Sequence, residues 1–169
     1  MQRRTLLQLG MGSAVVLALA GGAVALLQPG LQKGVLTERS RLVLSRVADA
    51  LIADAWPGQG SMPHAAALDA LLVRIHAQIA ATPDLVQAEL SQLLMLMDSP
   101  PGRRALVGIS SSWDAVGTVE LTEALQSMRL SRISLRQQAY QGLHDLVYAA
   151  YFSGKESWPV LGYPGPVDL

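Results

Sequence analysis

Apolar residues are placed along this chain in two ways: one nearly unbroken run at the start, then helical spacing through most of the remainder. From Leu6 to Leu27 the run is interrupted only by Gln8, Ser13 and small residues. Gln28-Pro29-Gly30 ends it, and Lys33-Gly34 reads as a short polar linker. Thr37-Glu38 predicts a helix start, because a threonine oxygen can accept an orphan backbone N–H there. Leu44, Val47, Ala48, Leu51 and Ile52 follow at helical spacing, with Arg39, Arg46 and Asp49 turned away, until Trp56-Pro57-Gly58 breaks the pattern. Leu68, Leu71, Leu72, Ile75 and Ile79 mark a second helix. Thr82-Pro83-Asp84 predicts a third start, with threonine as N-cap, proline at the first helical position and an acid at the positive end of the dipole. Val86, Leu90, Leu93, Leu94 and Met97 give its core face, and Ser99-Pro100-Pro101-Gly102 closes it. Arg103 to Gly117 reads as a short helix and a loop. Leu121, Leu125 and Met128 align a helix over 118–129, and Leu135, Ala139, Leu143, Leu146, Val147 and Ala150 align a last one from about Ser131 to Phe152.

No alternating β-branched run occurs, so no strand is predicted. The expected fold class is all-α: a bundle of about five helices. It would follow an N-terminal signal or transmembrane helix (1–30), occupy 31–152 and end in an irregular Pro/Gly/aromatic tail (153–169). In that tail Gly154, Pro159, Gly162, Pro164, Gly165 and Pro166 argue against regular structure.

The start of the chain has the three parts of an export signal: Arg3-Arg4 with no acid before Glu38, an apolar run, and small residues near its end. Ala23-Val24-Ala25 fits a cleavage site, with cutting after Ala25. Arg3-Arg4-Thr5-Leu6-Leu7-Gln8 resembles the twin-arginine motif, with Gln2, Leu6 and Gln8 departing from its usual residues. A helix of ~20 apolar residues also spans a bilayer. A removed signal and a retained anchor therefore both satisfy the pattern. Either reading puts the body of the chain on the periplasmic face of a bacterial cytoplasmic membrane.

Charge narrows the partners. The 13 basic and 13 acidic residues cancel, and losing Arg3 and Arg4 with the signal leaves 11 basic against 13 acidic. That balance argues against nucleic acid, which rewards a strongly basic face. With no cysteine, the chain has no disulfide and cannot supply thiolates to an iron–sulfur cluster or attach a c-type haem.

Candidate chemistry is sparse. His64, His76 and His144 lack a second ligand at helical i, i+3 or i+4 spacing, so no metal site is expected. Ser110-Ser111-Ser112 lacks the G-x-S-x-G elbow of a nucleophile. No glycine-rich phosphate loop follows a strand, so no cofactor is expected in this chain. Asp49, Asp54 and Asp69 read as ordinary surface acids. Two features suit binding instead. Arg129, Arg132 and Arg136 lie in a stretch without a carboxylate between Glu123 and Asp145, a pattern open to both a solvated face and a docking face. The tail, with Trp158 and Tyr163 among its prolines, is too apolar and stiff to stay in water. It either folds back on its own helices or docks on a partner.

Four segments carry a resemblance: Leu42-Val43-Leu44-Ser45-Arg46-Val47-Ala48-Asp49-Ala50-Leu51-Ile52, Met128-Arg129-Leu130-Ser131, Ala139-Tyr140-Gln141-Gly142-Leu143, and the ending Trp158-Pro159-Val160-Leu161-Gly162-Tyr163-Pro164-Gly165-Pro166. With the arginine-pair signal, they make the chain similar to the small subunit of bacterial membrane-associated, flavin-dependent sugar and polyol dehydrogenases. This is the gluconate 2-dehydrogenase subunit 3 and sorbitol dehydrogenase small-subunit group. The ending is the most specific part. The chain departs from the group at the arginine motif and at Ala53-Asp54-Ala55-Trp56-Pro57, where many relatives place a proline sooner.

The resemblance implies a non-catalytic subunit that assists maturation and export of a large catalytic subunit of the glucose–methanol–choline type. FAD would sit in that partner, and in many systems of the group a cytochrome c subunit carries electrons onward. The partner interface is expected at Arg129, Arg132, Arg136, Tyr151, Trp158, Gly162, Tyr163, Pro164, Gly165 and Pro166. The export signal is expected at Arg3, Arg4, Leu6 and Leu7, with cleavage at Ala23 and Ala25. A stand-alone, membrane-tethered helical binding or scaffold protein is the competing expectation.

Overall fold

A computed structural model describes residues 29–53, 56, 64–155, 157–158 and 162–163. The described chain is mostly helical, with six α-helices: α1 Glu38–Leu51, α2 His64–Ala80, α3 Asp84–Asp98, α4 Pro100–Gly102, α5 Thr118–Arg129 and α6 Ser134–Phe152. A π-helical turn, Arg103–Val107, continues α4. No described helix is long and apolar enough to cross a membrane. The apolar run, with Arg3, Arg4, Leu6, Leu7, Ala23 and Ala25, lies outside the described residues.

The predicted linker at Lys33-Gly34 is instead the turn of a small hairpin, which corrects the expectation of no strand. Strand β1 (Leu31–Gln32) pairs antiparallel with β2 (Val35–Leu36), Leu31 opposite Leu36 and Gln32 opposite Val35. Lys33 at φ 51 and Gly34 at φ 78 are both left-handed, as a two-residue hairpin of matching twist requires. The hairpin is docked rather than free. The Leu31 amide donates to Ser91 Oγ on α3 at 3.0 Å. A Cβ on Gly30 would stand 2.7 Å from the Ser91 carbonyl, so only glycine permits that approach.

Thr37 caps α1 as its sequence predicts: its side chain accepts from the Ser40 amide, 3.3 Å away. Val43, Leu44, Val47 and Ala48 on this helix are completely buried. They place α1 at the centre, against α2, α3, α5 and α6. Polar ties hold the helices at their ends. Arg74 Nε donates to the Ala150 carbonyl at 2.8 Å, joining α2 to the last turn of α6, where carbonyls attract a cation. Tyr148 O–H donates to the Leu51 carbonyl at 3.0 Å. Arg39 meets Asp98 at 2.8 Å and Asp114 at 3.3 Å, and the hydrogen bond to Asp98 chiefly raises its pKa.

Two predicted helix boundaries move. Thr82 does not cap α3; its hydroxyl donates to the Ile79 carbonyl at 2.7 Å and closes α2. Pro83 is the N-cap residue of α3, because the orphan carbonyls ending α2 claim the threonine first. Ser99-Pro100-Pro101-Gly102 closes α3 and also opens α4. Ser99 Oγ accepts from the Gly102 amide at 3.2 Å, and the prolines occupy the first helical positions, where no amide is needed. The last helix begins at Ser134 rather than Ser131, because residues 130–133 form a turn between α5 and α6.

The segment after the π-helical turn is pinned at both ends. Gly108, at φ 95, terminates the turn by donating to the Arg103 carbonyl at 3.0 Å. Trp113 is fully buried and donates its Nε1–H to the Met97 carbonyl at 2.9 Å. Arg46 reaches across from α1 to the carbonyls of Trp113 and Asp114, at 3.1 and 3.2 Å.

Candidate functional site

The three arginines that look alike in sequence separate in space. Arg136, on the first turn of α6, donates to the carbonyls of Leu106 and Val107 at 2.8 and 3.2 Å. It satisfies the end of the π-helical turn, so its guanidinium holds the fold together. Arg129 ends α5, with its Nε donating to Gln126 at 2.9 Å. Arg132 is exposed in the turn and makes no hydrogen bond or ion pair with a described residue. The arginines therefore do not share one helix face; they surround a corner.

That corner carries large apolar side chains, of which the spacing argument singles out only Leu135, and as a core position. Leu130 is 73% exposed, Ile133 58% and Leu135 41%. The backbone beneath them is fixed. Ser131 Oγ accepts from the Ile133 amide at 3.1 Å, and the Ser131 amide donates to the Met128 carbonyl at 3.2 Å. Met128 itself is fully buried. The corner is thus a built surface, rigid below and apolar with positive charge above.

The tail begins by capping α6. The Ser153 and Gly154 amides return to the carbonyls of Ala149 and Tyr151, at 3.1 Å each. Lys155, Ser157 and Trp158 lie in a 3-10 turn, so this part of the tail is more regular than its composition suggests. Ser157 is fully buried, with Oγ donating to the Gly154 carbonyl at 2.7 Å. Beyond it, Tyr163 folds back. Its amide donates to the Trp158 carbonyl at 3.0 Å, Gly162 takes φ 66, and the two aromatic rings meet edge-on at 5.3 Å. Lys155 Nζ stands 5.9 Å over the Trp158 ring, and Tyr163 remains 47% exposed. Pro164, Gly165 and Pro166 lie outside the described residues. Tyr151, expected at a partner interface, is only 2% exposed and packs in the chain's own core; that expectation is corrected.

Two constellations were not legible as sites. Asp49, expected as a surface acid, has a side chain only 20% exposed and lies 2.9 Å from His64 Nε2. The pair is close enough for ionic contact but not aligned as a hydrogen bond, which leaves Oδ1 of Asp49 without one. The Trp56 ring meets His64 edge-on at 4.7 Å and Tyr151 at 6.5 Å. The cluster therefore clasps the end of α1, the start of α2 and the end of α6. Asp69 is exposed and pairs with Arg41 at 2.8 Å; Asp54 lies outside the described residues.

Along α6, Tyr140, His144, Tyr148 and Phe152 form an aromatic ladder with ring separations of 5.7, 4.3 and 5.8 Å. Its four-residue spacing was visible in the sequence. Tyr140 and Tyr148 also line a cleft with Leu51, Thr122 and Gln126, about 90 Å³ in volume. Ligand sites usually hold ~300–1,000 Å³, so this cleft has room for a few waters and not for a flavin or a sugar. No group of three potential metal ligands occurs among the described residues. Protein-family models, curated proteins and solved structures were compared with the chain, and none matches.

Proposed function

We propose that this chain is the non-catalytic small subunit and export escort of a periplasm-facing, FAD-dependent dehydrogenase acting on sugars, polyols or alcohols. The carrying observation is the aromatic pair at the end of the described tail. Trp158 and Tyr163 are held against each other on a segment anchored by buried Ser157, with nearly half of Tyr163 still exposed. Aromatic side chains held rigid at a surface lose little entropy on docking, and such anchors dominate interface energetics. The sequence continues into Pro164-Gly165-Pro166, within the segment where the family resemblance is most specific.

In this reading the helices form a platform behind an N-terminal signal or membrane helix, and the tail grips the catalytic subunit. That partner is of the glucose–methanol–choline type and holds FAD, and in many systems of the group a cytochrome c subunit takes the electrons onward. The Arg3-Arg4 signal directs the twin-arginine translocase, which carries folded proteins. A cofactor-loaded partner can therefore cross with this chain to the periplasmic face of the membrane.

The test is to identify the flavoprotein that co-purifies with this chain and to express that FAD oxidoreductase with and without it. Without the chain, the oxidoreductase should remain cytoplasmic or inactive. The wild-type chain should restore export, and a version carrying Arg3→Lys and Arg4→Lys should not. Normal export and activity of the oxidoreductase alone would refute the reading.

A further inference from the structure

The α5–α6 corner is a second exposed feature, and the tail does not account for it. Leu130, Ile133 and Leu135 are 73%, 58% and 41% exposed within six consecutive residues, while Arg129 and Arg132 are exposed among them. No acidic residue falls between Glu123 and Asp145 to neutralise them. Apolar tips ringed by arginine complement a surface that is apolar below and anionic above.

We propose that this corner rests on the anionic face of the membrane that holds the N-terminal apolar run. Leu130 and Ile133 would enter the headgroup boundary, and Arg129 and Arg132 would meet lipid phosphates. The inference rests on the reading of that run as a membrane segment.

Size decides between a bilayer and a protein as occupant. A stable protein interface buries roughly 800 Å² on each partner, more than three side chains and two arginines at a turn supply. Two arginines near an anionic bilayer contribute about 1 kcal/mol each, too little to hold a free protein there. A chain already tethered needs far less, because tethering makes the contact intramolecular. The corner therefore orients a tethered domain rather than recruiting it. Its rigidity fits that task, since Arg136 locks the first turn of α6 onto the Leu106 and Val107 carbonyls and Met128 is buried beneath.

The absence of cysteine from the chain allows a clean test on the full-length protein. Ile133→Cys carries a polarity-sensitive fluorophore, and Val73→Cys, 61% exposed on α2, carries the control. Each labelled protein is mixed with phosphatidylcholine vesicles, with or without phosphatidylglycerol, and binding is followed by flotation. Protein should float with both kinds of vesicle. The probe at 133 should shift to the blue only where phosphatidylglycerol is present, while the probe at 73 stays aqueous. Arg129→Gln with Arg132→Gln should reduce occupancy of the surface about 30-fold, as two lost contacts imply. Protein that floats while the probe at 133 stays aqueous overturns the docking alone and leaves the corner to a protein partner. An equal shift in neutral vesicles also overturns it. Protein that floats with neither vesicle refutes the membrane reading of the N-terminal run, and the docking with it.

Discussion

Met128 and Leu130 stand two residues apart, yet one is completely buried and the other is 73% exposed. The same contrast separates two regions of the molecule. Between the helices, apolar side chains are enclosed and arginines end on named carbonyls: Arg46 on Trp113 and Asp114, Arg136 on Leu106 and Val107. At the α5–α6 corner the same residue types face water. Burial there is not determined by hydrophobicity but by whether a neighbouring element reaches the position. Packing inside the chain explains the first region, and contact with a membrane surface is the proposal for the second.

The contrast breaks if core and corner substitutions cost the same. The largest effect is expected at Trp113. Trp113→Ala should destabilise by about 3–5 kcal/mol through cavity formation, and the Met97 carbonyl would lose its donor as well. Urea unfolding followed by circular dichroism measures it. Met128→Ala should cost about 2–5 kcal/mol, whereas Leu130→Ala should stay within about 0.5 kcal/mol. Equal losses at the two positions would mean that the corner is part of the core.

The arginines sharpen the same comparison. Arg136→Met removes a charged donor from two carbonyls and should cost about 1.5–3 kcal/mol, while Arg132→Met should change stability by less than about 0.5 kcal/mol. Among the losses expected, the cap is the mildest: Thr37→Ala should cost about 1 kcal/mol, read as a shift in the urea midpoint and still above the near-neutral changes at Leu130 and Arg132.

Much of the helical layout was legible because burial and the 3.6-residue period agree. Thr118–Arg129 falls where its apolar spacing places it, and Thr37 caps α1. The hairpin was not legible, since two-residue strands are too short to show alternation. Gly34 was its local signal, since a two-residue hairpin turn favours glycine. Thr82 misled because a threonine between two helices can serve either end, and only the geometry shows which backbone groups it meets.

The surfaces were legible in part. The arginine stretch and the aromatic tail stood out by composition. Yet the separate roles of Arg132 and Arg136 depend on where the π-helical turn lies, and no spacing within one element reveals that. The Asp49–His64 pair escaped for the same reason, its members lying on different helices. Leu135 counted as a core position because periodicity cannot tell which side of a helix has a neighbour.

The escort reading is tested most directly by what accompanies the intact chain. An affinity-tagged full-length chain, purified from its native host in mild detergent, should bring down a flavoprotein in fixed stoichiometry and show the absorbance of bound FAD. Trp158→Ala with Tyr163→Ala should lose both while the helical circular dichroism signal persists. A purified wild-type chain that carries neither flavoprotein nor flavin absorbance would contradict the account.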